Sequence, residues 1–151
     1  MKKILTLCIL SLMTLAGFSQ TDKMIKSGWY FADSKTDSSL LVQSRKDTLL
    51  AYVYPTPILT IREFQKIKVG KGSFGAIVLD VTLTESGKIK FAEATKKWVG
   101  KKLAFVCDNK LQMLPVIISE IPGGKVTITG NFTKSEMDEL KKKMEKEMKI
   151  K

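Results

Sequence analysis

Residues 76–83 read AIVLDVTL, and just beyond them the apolar spacing changes. Ile77, Leu79, Val81 and Leu83 alternate with Ala76, Val78, Asp80 and Thr82, the period of a strand with one packed face. From about Ser86 to Val99, Phe91, Thr95 and Trp98 recur at i, i+4 and i+7, the spacing of a helix with one packed face, and Gly100 stands where that helix would stop. A strand and a helix that each carry one apolar face have to bury those faces in layers, which points to an α+β domain.

Three shorter strands precede this unit: GWYFAD (28–33), SLLVQSR (39–45) and DTLLAYVY (47–54), separated by the turn clusters SKTDS and KD. Pro55 and Pro57 then break the sheet pattern. Thr60 and Glu63 have the spacing of a capping box and predict a short helix through about Ile67, with VGKGSFG as the loop that ends it. KKLAFVC (101–107) is apolar on both faces and reads as a central strand. DNK is turn chemistry, and LQMLPVIIS (111–119) returns antiparallel, with Pro115 restricting that strand to an edge or a bulge. KVTITG follows the PGG turn as another strand, with Val126 and Ile128 inward.

The last helix carries the strongest local signal. Thr133 at the N-cap and Glu136 three residues on form a capping box, and Phe132 and Met137 are spaced as a hydrophobic staple. Met137, Leu140, Met144 and Met148 line one face. The other face spaces Asp138–Lys142, Glu139–Lys143, Glu145–Lys149 and Glu147–Lys151 for ion pairs. The expected architecture is a single domain over 28–151, a small mixed or antiparallel sheet with two main helices packed on it.

The N-terminus reads separately. Lys2 and Lys3 precede an apolar run from Ile4 to about Ala16, and Gly17 and Ser19 sit at −3 and −1 of a cleavage point before Gln20. That is the layout of a secretory signal peptide over 1–19, followed by a polar linker over 20–27. The expectation is an exported protein, periplasmic or extracellular, soluble after cleavage; an uncleaved signal anchor is the alternative. Removing Lys2 and Lys3 takes the formal charge from +11 to +9, and of the remaining cations only Arg45 and Arg62 are arginine. Nucleic-acid readers favour arginine, so no nucleic-acid partner is expected. Cys107 is left as the one cysteine after cleavage, in the apolar context LAFVC, and reads as a core residue.

Gly70, Gly72 and Gly75 spell the G-x-G-x-x-G of nucleotide-binding loops. A kinase also needs a strand lysine, an H-R-D and a D-F-G, and this chain has no histidine. A dinucleotide-binding loop opens a helix, whereas here a strand follows. The glycines therefore read as a permissive connection, with no nucleotide or other cofactor. Lack of histidine also removes histidine-based triads and His metal sites. Asp80, Glu93 and Glu120 are scattered over a strand, a helix and a turn. No catalytic or metal-ligating residues are assigned. NFT at 131–133 matches a glycosylation sequon and is better explained as the entry to the last helix.

One resemblance covers roughly residues 58–142. TIREFQKI, AIVLDVTLTESGKIKFAEAT and GKKLAFVCDNKLQMLPVIISEIPGGKVTITGNFTKSEMDEL together resemble the head subdomain of the first periplasmic domain of SecD and SecDF, envelope-facing components of bacterial protein export. Leu83, Thr84, Gly87, Phe91 and Thr95 fit the first part of the family pattern. Gly100, Lys101, Leu103, Ala104, Asp108 and Pro115 fit the second. Ile121, Gly124, Ile128, Gly130, Phe132, Thr133 and Glu136 fit the third. These are mainly turns, caps and core positions. The resemblance implies a SecDF head-like fold and a non-enzymatic exported module that contacts polypeptide or export components.

Two functional expectations follow. The first is a binding or accessory module that holds an extended or unfolded chain along an apolar strand edge at Leu111, Met113 and Pro115, by adding a strand to the sheet. The competing reading of that edge is that the 28–54 strands cover it. The second is an envelope-surface protein that meets anionic lipid or polysaccharide through the lysines at 96–102 and 141–151.

Overall fold

A computed structural model describes residues 24–46 and 48–150. The expected signal peptide, and the linker up to residue 23, lie outside those residues. The rest of the linker is an ordered part of the domain. Ile25 and Ser27 are buried, and the Ile25 amide donates to Asn109 Oδ1 at 3.0 Å.

In chain order the elements are β1 (Gly28–Asp33), β2 (Leu40–Gln43), β3 (Leu50–Val53), β4 (Leu59–Thr60), β5 (Phe64–Lys71), β6 (Ile77–Leu83), α1 (Glu85–Lys97), β7 (Lys102–Cys107), β8 (Lys110–Met113), β9 (Lys125–Ile128) and α2 (Lys134–Lys149). The strands form two antiparallel sheets instead of one. The larger runs β2-β3-β1-β7-β8, with β4 paired to β1, and the smaller runs β5-β6-β9. β7 is central, as its two apolar faces require, and every residue from Leu103 to Cys107 is buried.

The larger sheet curls until Ser44, just after β2, bridges Leu111 of β8 in parallel. Its concave side holds a small core of Tyr30, Ala32, Val42, Ala51, Val53, Ala104, Val106 and Leu111, with alanines from three strands where the curl leaves little room. The opposite side of β1 and β7 faces the smaller sheet and both helices across the main core. There Trp29, Phe91 and Phe105 meet Leu79, Val81, Ile128, Met137 and Met144. The Trp29 ring lies 4.9 Å from Phe105 and 5.8 Å from Phe91, centroid to centroid.

The short helix expected from Thr60 to Ile67 does not form. The capping box is real, with Thr60 N donating to Glu63 Oε2 at 2.8 Å, but it closes only a 3-10 turn over Ile61–Glu63. The chain then enters β5. A bulge between Phe64 and Lys66 explains the misleading spacing, because it puts two residues of β5 opposite one of β6. Phe64 and Ile67, three apart as on a helix face, thereby point to the same side of a strand, and both are buried. The Ile67 and Val69 positions then pair with Val81 and Leu79.

The Glu63 carboxylate also accepts from Thr60 Oγ1 at 2.7 Å and from Lys90 Nζ at 3.0 Å. Partial burial pushes its pKa up, but these donors outweigh burial and hold it below the usual carboxylate value. A depressed folded pKa contributes stability above the unfolded value of about 4.3, and that contribution is lost as pH falls through the folded value. Glu63→Gln is therefore expected to lower stability at neutral pH and to flatten the acid limb below about pH 4.3. Urea denaturation of both proteins across that range measures it. Parallel stability–pH curves would show that the carboxylate contributes nothing through its charge.

Candidate functional site

Leu111, Met113 and Pro115 are placed differently from one another. In the β7–β8 pairing, Leu111 lies opposite Val106 and Met113 opposite Phe105, so the register shifts by one residue at Gln112. That bulge turns the two side chains to opposite faces. Leu111 enters the concave core at 2% exposure, and Met113 packs on the main core. Gln112 braces the bulge, its Nε2 donating to the carbonyl of Cys107 at 3.1 Å. At Leu111 the strand edge is met by the Ser44 bridge. Pro115 is half-buried, and its carbonyl accepts from Leu103 N at 2.8 Å.

Pairing with β7 continues past the proline. Ile117 N donates to the Lys101 carbonyl, and Gly100 N to the Ile117 carbonyl, each at 2.8 Å. Lys102 and Val116 form the bridge between these bonds. The backbone groups of Pro115 and Ile117 thus face β7, and those of Val116 and Ile118 face away, as strand geometry alternates. Among the described residues, the N–H and C=O of Val116 and Ile118 take no backbone partner. Their side chains are open as well, Val116 at 52% and Ile118 at 87%, and Val99, just before the residues that pair with this segment, is exposed at 52%. An unpaired edge with apolar side chains in register is what a strand-adding ligand needs.

Val116, Ile118 and Val99 escaped the sequence reading. The signal that could have found them is Pro115 itself. A proline lacks the inward N–H, so the residues after it are where an edge strand resumes its pairing with fresh outward groups.

The lysine clusters are laced with carboxylates. Lys101 pairs with Asp33 at 2.8 Å, Lys143 with Asp108 at 2.7 Å and Glu139 at 3.3 Å, and Lys141 with Glu145 at 3.5 Å. The bond from Lys101 holds the Asp33 carboxyl below its usual range. Cys107 is fully buried, and desolvation pushes its thiol up to about 11, so it is a protonated core residue at neutral pH. The glycine pattern is split between β5 and its turn. Gly70 lies in β5, Gly72 follows it, and a Cβ on Gly72 would meet Val78 Cγ1 at 2.7 Å. Gly72 is there for close approach, and Gly75, at φ +76, for the turn. Among the described residues no helix is long and apolar enough to cross a membrane.

Fold and edge together define a small two-sheet α+β module with an open edge after β8. The sequence profile of the SecDF P1 head subdomain matches residues 38–146, and the chain belongs to that family. It is 42% identical to the protein translocase subunit SecD of Sebaldella termitidis over 45% of this chain and 22% of that one. It is 30% identical to SecD of Magnetococcus marinus over 69% of this chain and 21% of that one. The chain thus spans about a fifth of the length of these relatives. A solved structure of SecDF, described as a membrane component that enhances protein export, superposes with a TM-score of 0.59 at 23% identity, covering 83% of this chain and 68% of that one. The head-like α+β fold expected from the sequence is the fold observed.

Proposed function

We propose that this chain is an exported, non-enzymatic accessory module of protein export that holds extended or unfolded polypeptide at the edge running on from β8. Residues 1–19 would direct export and be removed, and the domain would work outside the cytoplasm beside export components. One observation carries the reading: in a member of the SecDF head family, Val116 and Ile118 offer unpaired backbone groups and exposed apolar side chains on the bridged segment that follows β8. The edge expected at Leu111, Met113 and Pro115 runs directly into this segment. Val116 and Ile118 are the ligand-facing part in this reading, since Ser44 bridges Leu111.

The test separates side chain from backbone. Ile118→Asp removes apolar area, and Ile118→Pro removes the outward N–H while leaving the bonds of Ile117 to Lys101 and Gly100 in place. Each should weaken binding of a fluorescently labelled, permanently unfolded polypeptide by about tenfold or more, as expected for losing one buried aliphatic side chain or a ladder bond. The unfolding midpoint should stay near that of the parent, since Ile118 is exposed. Anisotropy titration measures the first and urea denaturation the second. Unchanged affinity in both variants would overturn the reading.

A further inference from the structure

We propose that the tip of the β5–β6 hairpin is an anchor for anionic bilayer surfaces, with Phe74 entering the headgroup region, Lys71 beside the turn meeting lipid charge, and Lys68 and Lys66 further back along β5 adding long-range attraction. This rests on the hairpin alone and not on the polypeptide edge. Phe74 is fully exposed, and it adopts φ +55, ψ +27. A bulky side chain seldom adopts that left-handed conformation, and nothing in the domain offsets its cost by burying the ring. The turn is well defined. Gly72 N donates to the Ala76 carbonyl at 2.8 Å, Ala76 N donates to the Ser73 carbonyl at 3.2 Å, and Gly75 continues the left-handed backbone at φ +76. Gly72 packs against Val78, whose side chain is buried although it lies on the outer face of the sheet. The ring is thus held outward on a braced turn.

Charge indicates the partner. No acidic residue occurs between Glu63 and Asp80, while Lys66, Lys68 and Lys71 all do, and all three are exposed. Among the described residues none of them forms an ion pair, in contrast to the laced lysines of α2. Asp80, opposite Lys68, instead accepts from Thr127 Oγ1 at 2.9 Å. One ring flanked by Ser73, Gly75 and Ala76 is far too small an apolar area for a stable protein interface, which takes about 800 Å² per partner. An exposed aromatic at the tip, with Lys71 beside the turn and Lys68 and Lys66 further back along β5, suits the interface of an anionic bilayer, where ring burial and cation attraction add.

The experiment compares the protein, as recovered from expressing cells, with Phe74→Gly and with Lys66, Lys68 and Lys71 all changed to Gln. Vesicle flotation uses phosphatidylcholine–phosphatidylglycerol mixtures and pure phosphatidylcholine. All three proteins share the same N-terminus, so differences report the hairpin. Expected results are binding to the mixed vesicles that falls with salt, a loss of about tenfold for Phe74→Gly, and a loss of about fivefold or more for the lysine variant, carried mainly by Lys71. Phe74→Gly should keep or raise the unfolding midpoint, because glycine accepts the positive φ. Equal binding by parent and variants would overturn the proposal, as would a Phe74→Gly effect on polypeptide capture with vesicle binding unchanged.

Discussion

Phe105→Ala is expected to lower the unfolding free energy by about 3–5 kcal/mol, the range for truncating a buried aromatic. Phe105 is the middle of β7 and has no exposed surface. Its ring lies 4.9 Å from Trp29 in the larger sheet and 6.3 Å, stacked, from Phe64 in the smaller one. It therefore joins the two sheets through the main core, and its removal leaves a cavity that β-ladders on both sides prevent from collapsing. A domain of this size has a total stability of about 5–15 kcal/mol, so the variant should be near the limit of folding. Phe105→Leu keeps most of the volume and should cost much less, which makes the pair measurable even if the alanine variant unfolds. Urea denaturation gives both values. A cost below about 1 kcal/mol for Phe105→Ala would mean that the sheets are not held together at this ring.

Alternation and capping made most of the fold legible, and bulges hid the rest. β6, α1, β7, β9 and α2 follow directly from residue spacing, and Thr133 caps α2 as expected; α1 starts one residue earlier, capped by Thr84, and ends at Trp98, two residues before Gly100 at φ +87. Asp108 and Asn109, both at positive φ, give the tight β7–β8 turn that DNK announced. Two of the failures are tied to one inserted residue each. The bulge after Phe64 made a strand look like a helix, and the bulge at Gln112 made Leu111 and Met113 look like neighbours on one face. A period-2 pattern loses its meaning when one residue is added, and the bulge is set by pairing with a distant strand that local spacing cannot reveal. The split into two sheets was hidden by long-range pairing, because the strand that pairs with β6 on its other side, β9, lies far along the chain. Of the candidate site, the strand and its proline were legible. The outward residues Val116 and Ile118 depended on the register.

Leu140→Ala should cost about 2–5 kcal/mol, while charge reversal at Lys142 and Lys146 should stay within about 0.5 kcal/mol. α2 begins as its sequence requires, with Thr133 Oγ1 accepting from Glu136 N at 3.2 Å and Glu136 accepting from Thr133 N at 2.7 Å. Its buried stripe is Met137, Leu140 and Met144, all in the main core, and Phe132 joins them at the helix entry. Arg45 lies 4.1 Å over the Phe132 ring and pairs with Glu136 at 3.1 Å, which ties the helix start to the end of β2. Lys142 and Lys146 face solvent on the opposite side. The helix is thus a packing element between the sheets, and its lysines are a solvated surface. Two measurements on the same variants separate this from a recognition helix. Leu140→Ala should lower the urea midpoint sharply, and weaken polypeptide capture only in proportion to the fraction unfolded. The lysine reversals should change neither. If the reversals left stability intact and abolished capture, the ligand would lie on α2 and not on the Val116–Ile118 edge. A fully stable Leu140→Ala would place the packed face of the helix elsewhere.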